Sequence, residues 1–99
     1  MERQSKTSIR VPRPVTFSAA GLAPSAGWVV RLSVVGVVVE APVVPEMGAL
    51  VDMLVELREG APVACRARVQ WSRRGCFGAQ FQLLGARQTH AIVEAMRVA

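Results

Sequence analysis

Residues 61–72, with the sequence APVACRARVQWS, decide the fold class because apolar and polar side chains alternate along them. Alternation with a period of two is typical of a β-strand with one buried face and one wet face. The side chains predicted to face the core are Val63, Cys65, Ala67, Val69 and Trp71. The side chains predicted to face water are Arg66, Arg68, Gln70 and Ser72. The segment is therefore predicted to be a strand with a well-defined register.

The segments before and after this strand repeat the pattern. The alternating apolar residues of the preceding segment are Val51, Met53, Val55 and Leu57. Those of the following segment are Phe77, Ala79, Phe81 and Leu83. The connections, Glu59-Gly60 and Arg73-Arg74-Gly75, carry the glycine that tight hairpin turns need. These three strands are predicted to form an antiparallel meander.

The whole chain is predicted to be all-β, since seventeen of its residues are valine. Strands are predicted at roughly Val15 to Ala20, Gly27 to Ser33, Val35 to Ala41, Ala49 to Arg58, Ala61 to Ser72 and Cys76 to Leu83. After Gly85 the spacing of Thr89, Ile92, Val93 and Met96 predicts one helix, at about 86–98, across an open end of the sheet. A six-stranded antiparallel barrel leaves no free edges. The expected domain is 15–99, preceded by a flexible basic arm at 1–14.

Composition limits the classes of function. A chain of 99 residues has room for one core, which excludes a multidomain enzyme. Its only histidine, His90, lies four residues before Glu94 on the predicted helix, where a solvated surface pair is the ordinary interpretation. We therefore predict no enzyme. The net charge of +5 is concentrated in residues 1–31, which predicts an anionic partner near that end.

The sequence also bears on membrane insertion, cellular compartment and cysteine chemistry. The longest uncharged stretch, 14–30, contains two prolines and two glycines, so no membrane insertion is expected. The opening residues lack an apolar signal, and we expect a cytoplasmic protein. Cys65 and Cys76 fall out of register across their hairpin, so no disulfide is predicted. The sequence has neither a C-x-x-C pair nor a cluster of histidines, so no metal site is expected.

Two short segments in the basic half are candidate binding sites. The first is Lys6-Thr7-Ser8-Ile9-Arg10, with Arg13 close behind it. The second is Arg31-Leu32-Ser33-Val34-Val35-Gly36, between two apolar runs. Each segment alone also has an ordinary interpretation, as a solvated tail and as a strand-to-strand turn.

Taken together, these segments and the strands that follow resemble the PilZ domain family. Val69-Gln70-Trp71 and Phe77-Gly78-Ala79-Gln80-Phe81 are similar to that family's V-x-W and G-x-x-F segments. The resemblance implies a six-stranded barrel and, as in many members, binding of cyclic di-GMP through an R-x-x-x-R arm and a [D/N]-x-S-x-x-G turn. It implies binding roles for Lys6, Arg10 and the neighbouring Arg13, and for three turn residues. These are Arg31, Ser33 and Gly36.

The chemistry of these residues fits such a ligand, with two departures from the family pattern. Arginines can pair with phosphate oxygens and with the O6/N7 edge of guanine, while Ser33 offers a hydroxyl and Gly36 allows close backbone approach. Lys6 keeps the charge of the arginine it replaces but lacks the planar fork. Arg31 stands where an acidic or amide side chain accepts from guanine, and it has donors only. Its contribution could be a lost contact or a new one to phosphate or base.

Three functions follow as hypotheses. The first is a signalling module that binds cyclic di-GMP and acts on a protein partner of unknown identity. The second is an adaptor without a nucleotide that acts through protein contacts in pilus or motility function. The third, binding of single-stranded nucleic acid, is disfavoured because no aromatic platform is expected on the strand exteriors.

Overall fold

A computed structural model describes residues 9–20, 22–58 and 61–98. These residues form six strands and one helix. These are β1 (Ile9–Ala19), β2 (Ser25–Leu32), β3 (Gly36–Glu40), β4 (Leu50–Arg58), β5 (Ala61–Arg73), β6 (Cys76–Phe81) and α1 (Ala86–Val98). The strands close into a barrel in the order β1-β2-β3-β6-β5-β4, and every neighbouring pair is antiparallel. The predicted all-β, six-stranded antiparallel barrel with one C-terminal helix is confirmed.

The core is built by the alternation read from β4, β5 and β6. Their inward-facing, buried residues include Val51, Met53, Val55, Cys65, Ala67, Val69, Phe77 and Ala79. Phe77 packs edge-to-face on Phe17 of β1, with ring centroids 5.1 Å apart. Aromatic pairs in this geometry add to the free energy of burial. The centre of the barrel is therefore fixed by strands from both halves of the chain.

Strand β1 begins at Ile9, so residues 9–14, which we had assigned to the arm, belong to the sheet. The two prolines are tolerated for different reasons. Pro12 falls in the register shift between Arg10 and Arg13. Pro14 precedes Val15, where pairing with β4 starts, so its missing N–H costs no hydrogen bond on that side. Lys6 and the rest of the predicted arm lie outside the described residues.

A β-bulge in β5 overturns the prediction for its last residues. Val69 pairs with Ala79, but Trp71 pairs with Gly78, so one extra residue is inserted between them. The insertion reverses the inward and outward alternation beyond it. Trp71 therefore lies on the outer face, over Gly78, and was wrongly predicted to face the core. Ser72 turns the other way and donates a hydrogen bond to the Pro45 carbonyl, 2.8 Å away.

The prediction for the end of β6 was also wrong. The strand ends at Phe81, and Leu83, expected in the core, is 99% exposed with a φ of +43°. The chain leaves the sheet after the Gln82 amide, which donates to the Arg66 carbonyl at 2.8 Å. The prediction failed because the apolar spacing continues for two residues after strand pairing stops.

The hairpin between β5 and β6 forms as predicted. Arg73 pairs with Cys76, and Gly75 adopts the left-handed conformation, with a φ of +77°. Cys65 and Cys76 are both free thiols. The other predicted turn, Glu59-Gly60, lies outside the described residues.

Helix α1 packs against β4 and β5 at one end of the barrel. Its start is held by Gln88, whose side chain accepts from the Gly85 amide and donates to the Ala64 carbonyl. The buried residues are Ile92 and Ala95, whereas Val93, predicted to be in the apolar stripe, is 38% exposed. The helix is therefore rotated relative to the prediction. Neither α1 nor any other part of the described chain forms a helix long and apolar enough to cross a membrane.

Candidate functional site

The turn between β2 and β3 is held by its own serine. The Ser33 hydroxyl accepts hydrogen bonds from the amides of Val35 and Gly36, at 3.1 and 3.2 Å. The Ser33 amide donates to the Gly36 carbonyl at 3.0 Å, and the Phe81 amide donates to the Val35 carbonyl at 2.7 Å. This turn is therefore a rigid feature fastened to the end of β6, and the hydroxyl we expected to face a ligand helps to build it.

Gly36 has a reason to be glycine that the sequence did not reveal. A Cβ at this position would overlap the carbonyl oxygen of Ala79 on β6. The close approach is to the neighbouring strand, because Gly36 pairs with Gln80 in the β3–β6 ladder. Packing against β6 therefore requires glycine at position 36 whether or not a ligand binds, in addition to the predicted role of Gly36 in close approach to a ligand.

Arg31 lies on the outer face of β2 just before this turn. It pairs with Val38 on one side and with Arg10 on the other. A register shift between Val29 and Arg31 brings the arginine to the outer face, while its neighbour Leu32 is buried in the core. Arg10 and Arg31, two predicted site residues that are far apart in sequence, are thus directly opposite each other on the adjacent strands β1 and β2.

Arg13 is not brought to the same place. It pairs with Val29, which is completely buried, and is in phase with the core-facing Val15. Lys6 lies outside the described residues. Of the predicted set, the structure therefore brings together Arg10, Arg31, Ser33 and Gly36.

An open cleft of about 400 Å³ runs from the turn across β3 and β6 to β5. We call it the barrel-face cleft. Its lining residues are Arg31, Leu32, Ser33, Val35, Gly36, Val37, Val38, Gln70, Trp71, Gly78, Ala79 and Gln80. The lining includes one arginine and two glutamines and, in this described part of the chain, no carboxylate. That chemistry suits an anionic ligand with polar edges.

Sequence reasoning missed the aromatic residues of the outer surface. Trp71 lies over Gly78, and the Arg73 guanidinium carbon is 5.1 Å from the centre of its indole. Trp28, also on an outer face, is 52% exposed. The expectation of no aromatic platform on the strand exteriors was wrong. The one feature of the sequence that could have indicated this is Gly78, which lacks a side chain and so leaves room for the indole of Trp71 on the adjacent strand.

The other residues considered for catalysis or metal binding have structural roles at the surface or in the core. Glu94, which we had considered beside His90, lies 3.5 Å from Arg97 in an exposed ion pair on the same helix. Within the described ranges, no group of three His, Cys, Asp or Glu side chains could hold a metal ion. Desolvation raises the pKa of the Cys65 thiol to about 11, so this cysteine is a neutral filler of the core.

Comparisons with known proteins agree with this architecture. A family model described as PilZ domain matches residues 2–97. Two of the solved structures that share the fold are described here. The PilZ domain of CeSA from a cellulose synthesizing bacterium matches with a TM-score of 0.72 and 18% identity, over 92% of this chain and 95% of its own. The inhibitor of motility MotI/DgrA of Bacillus subtilis matches with a TM-score of 0.74 and 11% identity, over 93% of this chain and 48% of its own. The search of curated protein sequences gave no match.

Proposed function

The chain belongs to the PilZ domain family, and on this premise we propose that it binds cyclic di-GMP on the outer face of the barrel and passes that signal to a protein partner. The observation that carries the proposal is the pairing of Arg10 with Arg31 immediately beside the Ser33–Gly36 turn. It supports a single site, because the two halves of the family motif meet on adjacent strands.

The electrostatics of this pair favour a phosphate ligand. Arginine side chains form charge-assisted, often bidentate hydrogen bonds with phosphate oxygens, and two arginines on adjacent strands supply two sets of such donors. Arg31, which cannot accept from guanine, therefore takes the role of a second phosphate ligand beside Arg10.

Ser33 and Lys6 have supporting roles in this site. The Ser33 oxygen is occupied by two amides, but its proton has only a 3.5 Å contact with the Gly36 carbonyl. The hydroxyl can therefore donate to a phosphate oxygen without breaking the turn. Lys6 adds a point charge, which attracts phosphate but does not read a base.

A second candidate is an adaptor that binds no nucleotide and acts through protein contacts in pilus or motility function. The observation that favours it is that Gly36 and Ser33 both have structural roles in the turn that need no ligand. The fold is shared with the inhibitor of motility MotI/DgrA, about half of whose length this chain covers. The adaptor proposal requires the arginines to contact an acidic protein surface instead.

Isothermal calorimetry with the full chain distinguishes these functions. The heat of binding cyclic di-GMP is expected to saturate at one ligand molecule, or one ligand dimer, per protein chain. GMP and a single-stranded oligonucleotide are expected to give no binding heat in the same concentration range. Arg13→Ala is the matched control, because it removes an arginine of β1 that is in phase with the core-facing Val15 and not with Arg31. No heat with cyclic di-GMP at millimolar concentration would refute nucleotide binding and leave the adaptor function.

A further inference from the structure

The outer surface of β4 and β5 exposes large apolar side chains. In the closed strand order, this pair of strands lies opposite the β2–β3 pair, whose turn holds Ser33. Leu54 of β4 is 49% exposed, and Leu83, just after β6, is almost fully exposed. We call the surface the β4–β5 face, and its outward-facing residues are Leu50, Asp52, Leu54, Ala64, Arg66 and Arg68. Exposed apolar residues grouped among polar ones mark interaction surfaces.

The register of β4 and β5 places unlike side chains opposite each other on this face. Leu54 is opposite Ala64, and Asp52 is opposite Arg66. The Nε of Arg66 donates a hydrogen bond to the Asp52 carboxylate at 2.8 Å, and both side chains are exposed. The face therefore presents a large side chain beside a small one and an acid beside a base, in adjacent rows.

A second copy of this chain matches that pattern. In a dimer with a two-fold axis, the same patch of each subunit faces itself, so each contact occurs twice. If the axis runs along the strands between β4 and β5, β4 of each copy lies over β5 of the other. Leu54 then lies over Ala64 of the partner subunit. Asp52 lies over Arg66 of the partner subunit, so size and charge are both complementary.

A hollow beside this face has room for Leu83. Its volume is about 680 Å³, and its lining includes Thr16, Ser18 and Pro24 at one end and Leu83 at the other. Ser18 pairs with β4, whereas the amide of Gln82 donates to β5, so these ends flank the face on opposite sides. The same two-fold axis therefore carries Leu83 of each copy to the β1 end of the hollow in the other copy.

The size of the face predicts a weak, reversible dimer. A width of four strands and a length of about seven residues give roughly 450 Å² on each partner, from the usual strand spacing and rise. A total of about 900 Å² is at the low end for specific protein interfaces, where complexes are transient. We expect a dissociation constant in the micromolar range.

We propose that the β4–β5 face joins two copies of this chain in a symmetric dimer. Reciprocal contacts between Asp52 and Arg66 set its register, and Leu54 and Leu83 supply its apolar contacts. The dimer does not depend on the nucleotide, because its residues lie on a different side of the barrel from the Ser33–Gly36 turn.

Charge reversal gives the direct test, because the contacts are reciprocal. Asp52→Arg faces Arg66 of the partner subunit with a like charge, and Arg66→Asp does the same to Asp52 of the partner subunit. Each variant alone is expected to dimerise at least tenfold more weakly than the unchanged protein in sedimentation velocity. An equimolar mixture of the two variants is expected to dimerise again, since both contacts then join opposite charges.

An exposed ion pair on α1 provides the matched controls. Glu94 and Arg97 form this pair, outside the β4–β5 face. Glu94→Arg and Arg97→Asp change the net charge by the same amounts as the two test variants. Both controls are expected to dimerise within twofold of the unchanged protein. All four variants should keep the thermal midpoint, because exposed ion pairs contribute little to stability.

A second pair of variants tests the apolar contact. Leu83→Ser is expected to weaken the dimer at least tenfold, because the contact is lost twice in a symmetric interface. Val43→Ser is the control, since Val43 is also exposed but lies in the loop between β3 and β4. It is expected to dimerise within twofold of the unchanged protein.

All of these measurements are made without cyclic di-GMP, so their outcome is independent of the proposed function. An unchanged protein that stays monomeric at millimolar concentration would overturn the inference. A dimer that survives in Asp52→Arg and Arg66→Asp alone, or that fails to form in their mixture, would also overturn it.

Discussion

At the scale of single residues, Arg31 distinguishes this chain most clearly from the family pattern. Because Arg10 lies opposite Arg31 on the adjacent strand, we assign both residues to phosphate binding, which predicts the direction in which a substitution of Arg31 changes affinity. We expect Arg31→Asp to weaken cyclic di-GMP binding roughly tenfold or more, because it removes a phosphate ligand and pairs with Arg10.

Calorimetry of the Arg31→Asp variant with cyclic di-GMP measures this effect. Binding that becomes tighter would mean that Arg31 is only a lost guanine contact. In that case the phosphate role assigned to it is wrong.

Arg10 and Lys6 should differ in their contributions. Arg10→Ala is expected to weaken cyclic di-GMP binding more than Lys6→Ala, because arginine pairs in bidentate fashion and lysine supplies a point charge. Dissociation constants at two salt concentrations measure both losses. Equal losses at Arg10 and Lys6, or a loss as large for Arg13→Ala, would contradict the arrangement.

Cys65 gives the chain a defined response to alkaline pH. Burial raises the pKa of its thiol from 9.0 to about 11, so the folded state holds the proton more tightly than the unfolded state. Stability should be unaffected by this group below pH 9 and fall as pH rises from 9 towards 11, by at most about 3 kcal/mol.

The alkaline prediction is checked by urea unfolding of the unchanged protein and Cys65→Ala at pH 8 and pH 10.5. The difference in stability between the two proteins should shift in favour of Cys65→Ala at the higher pH. A difference that is independent of pH would show that the thiol does not titrate in this way.

At the scale of elements, alternation predicted the inner faces of β4, β5 and β6 until pairing became irregular. It failed at Trp71 because a bulge adds one residue without changing the local sequence pattern. It failed at Leu83 because a strand ends where its neighbouring strand no longer pairs with it, and the sequence of one segment does not show where that happens. The start of β1 was missed because Pro12 and Pro14 were taken to exclude a strand, whereas a bulge and an unpaired side accommodate them.

The glycines of β3 and β6 provide the sharpest test of these elements. Gly78→Ala is expected to destabilise the barrel by about 1–3 kcal/mol, because its Cβ overlaps the indole of Trp71. Adding Trp71→Leu should recover part of that loss. Gly36→Ala should cost at least as much, yet show no recovery with Trp71→Leu, since its Cβ meets the backbone of β6.

Urea unfolding of the three single variants and the two double variants measures the coupling. Equal effects of Trp71→Leu on both glycine variants would mean that the indole does not sit over Gly78.

At the scale of the whole molecule, the class of fold could be predicted because turn signals, strand lengths and the closing helix agreed with one another. The site could be predicted only as a set of residues. Sequence suggested Arg10, Arg31, Ser33 and Gly36 through a resemblance, but not that β6 and β5 complete the cleft. That part depends on strand order, because β3 pairs with β6 across the sequence gap occupied by β4 and β5.

The central claim is that cyclic di-GMP binds on the barrel face beside the Ser33–Gly36 turn. The most direct test is a titration of ¹⁵N-labelled protein with cyclic di-GMP, followed through its backbone amide NMR signals. We predict saturable shifts at Arg31 and through the turn to Gly36, with α1 unchanged at Ile92 and Ala95. Signals that do not move at saturating nucleotide, or that move only on α1, would contradict the claim.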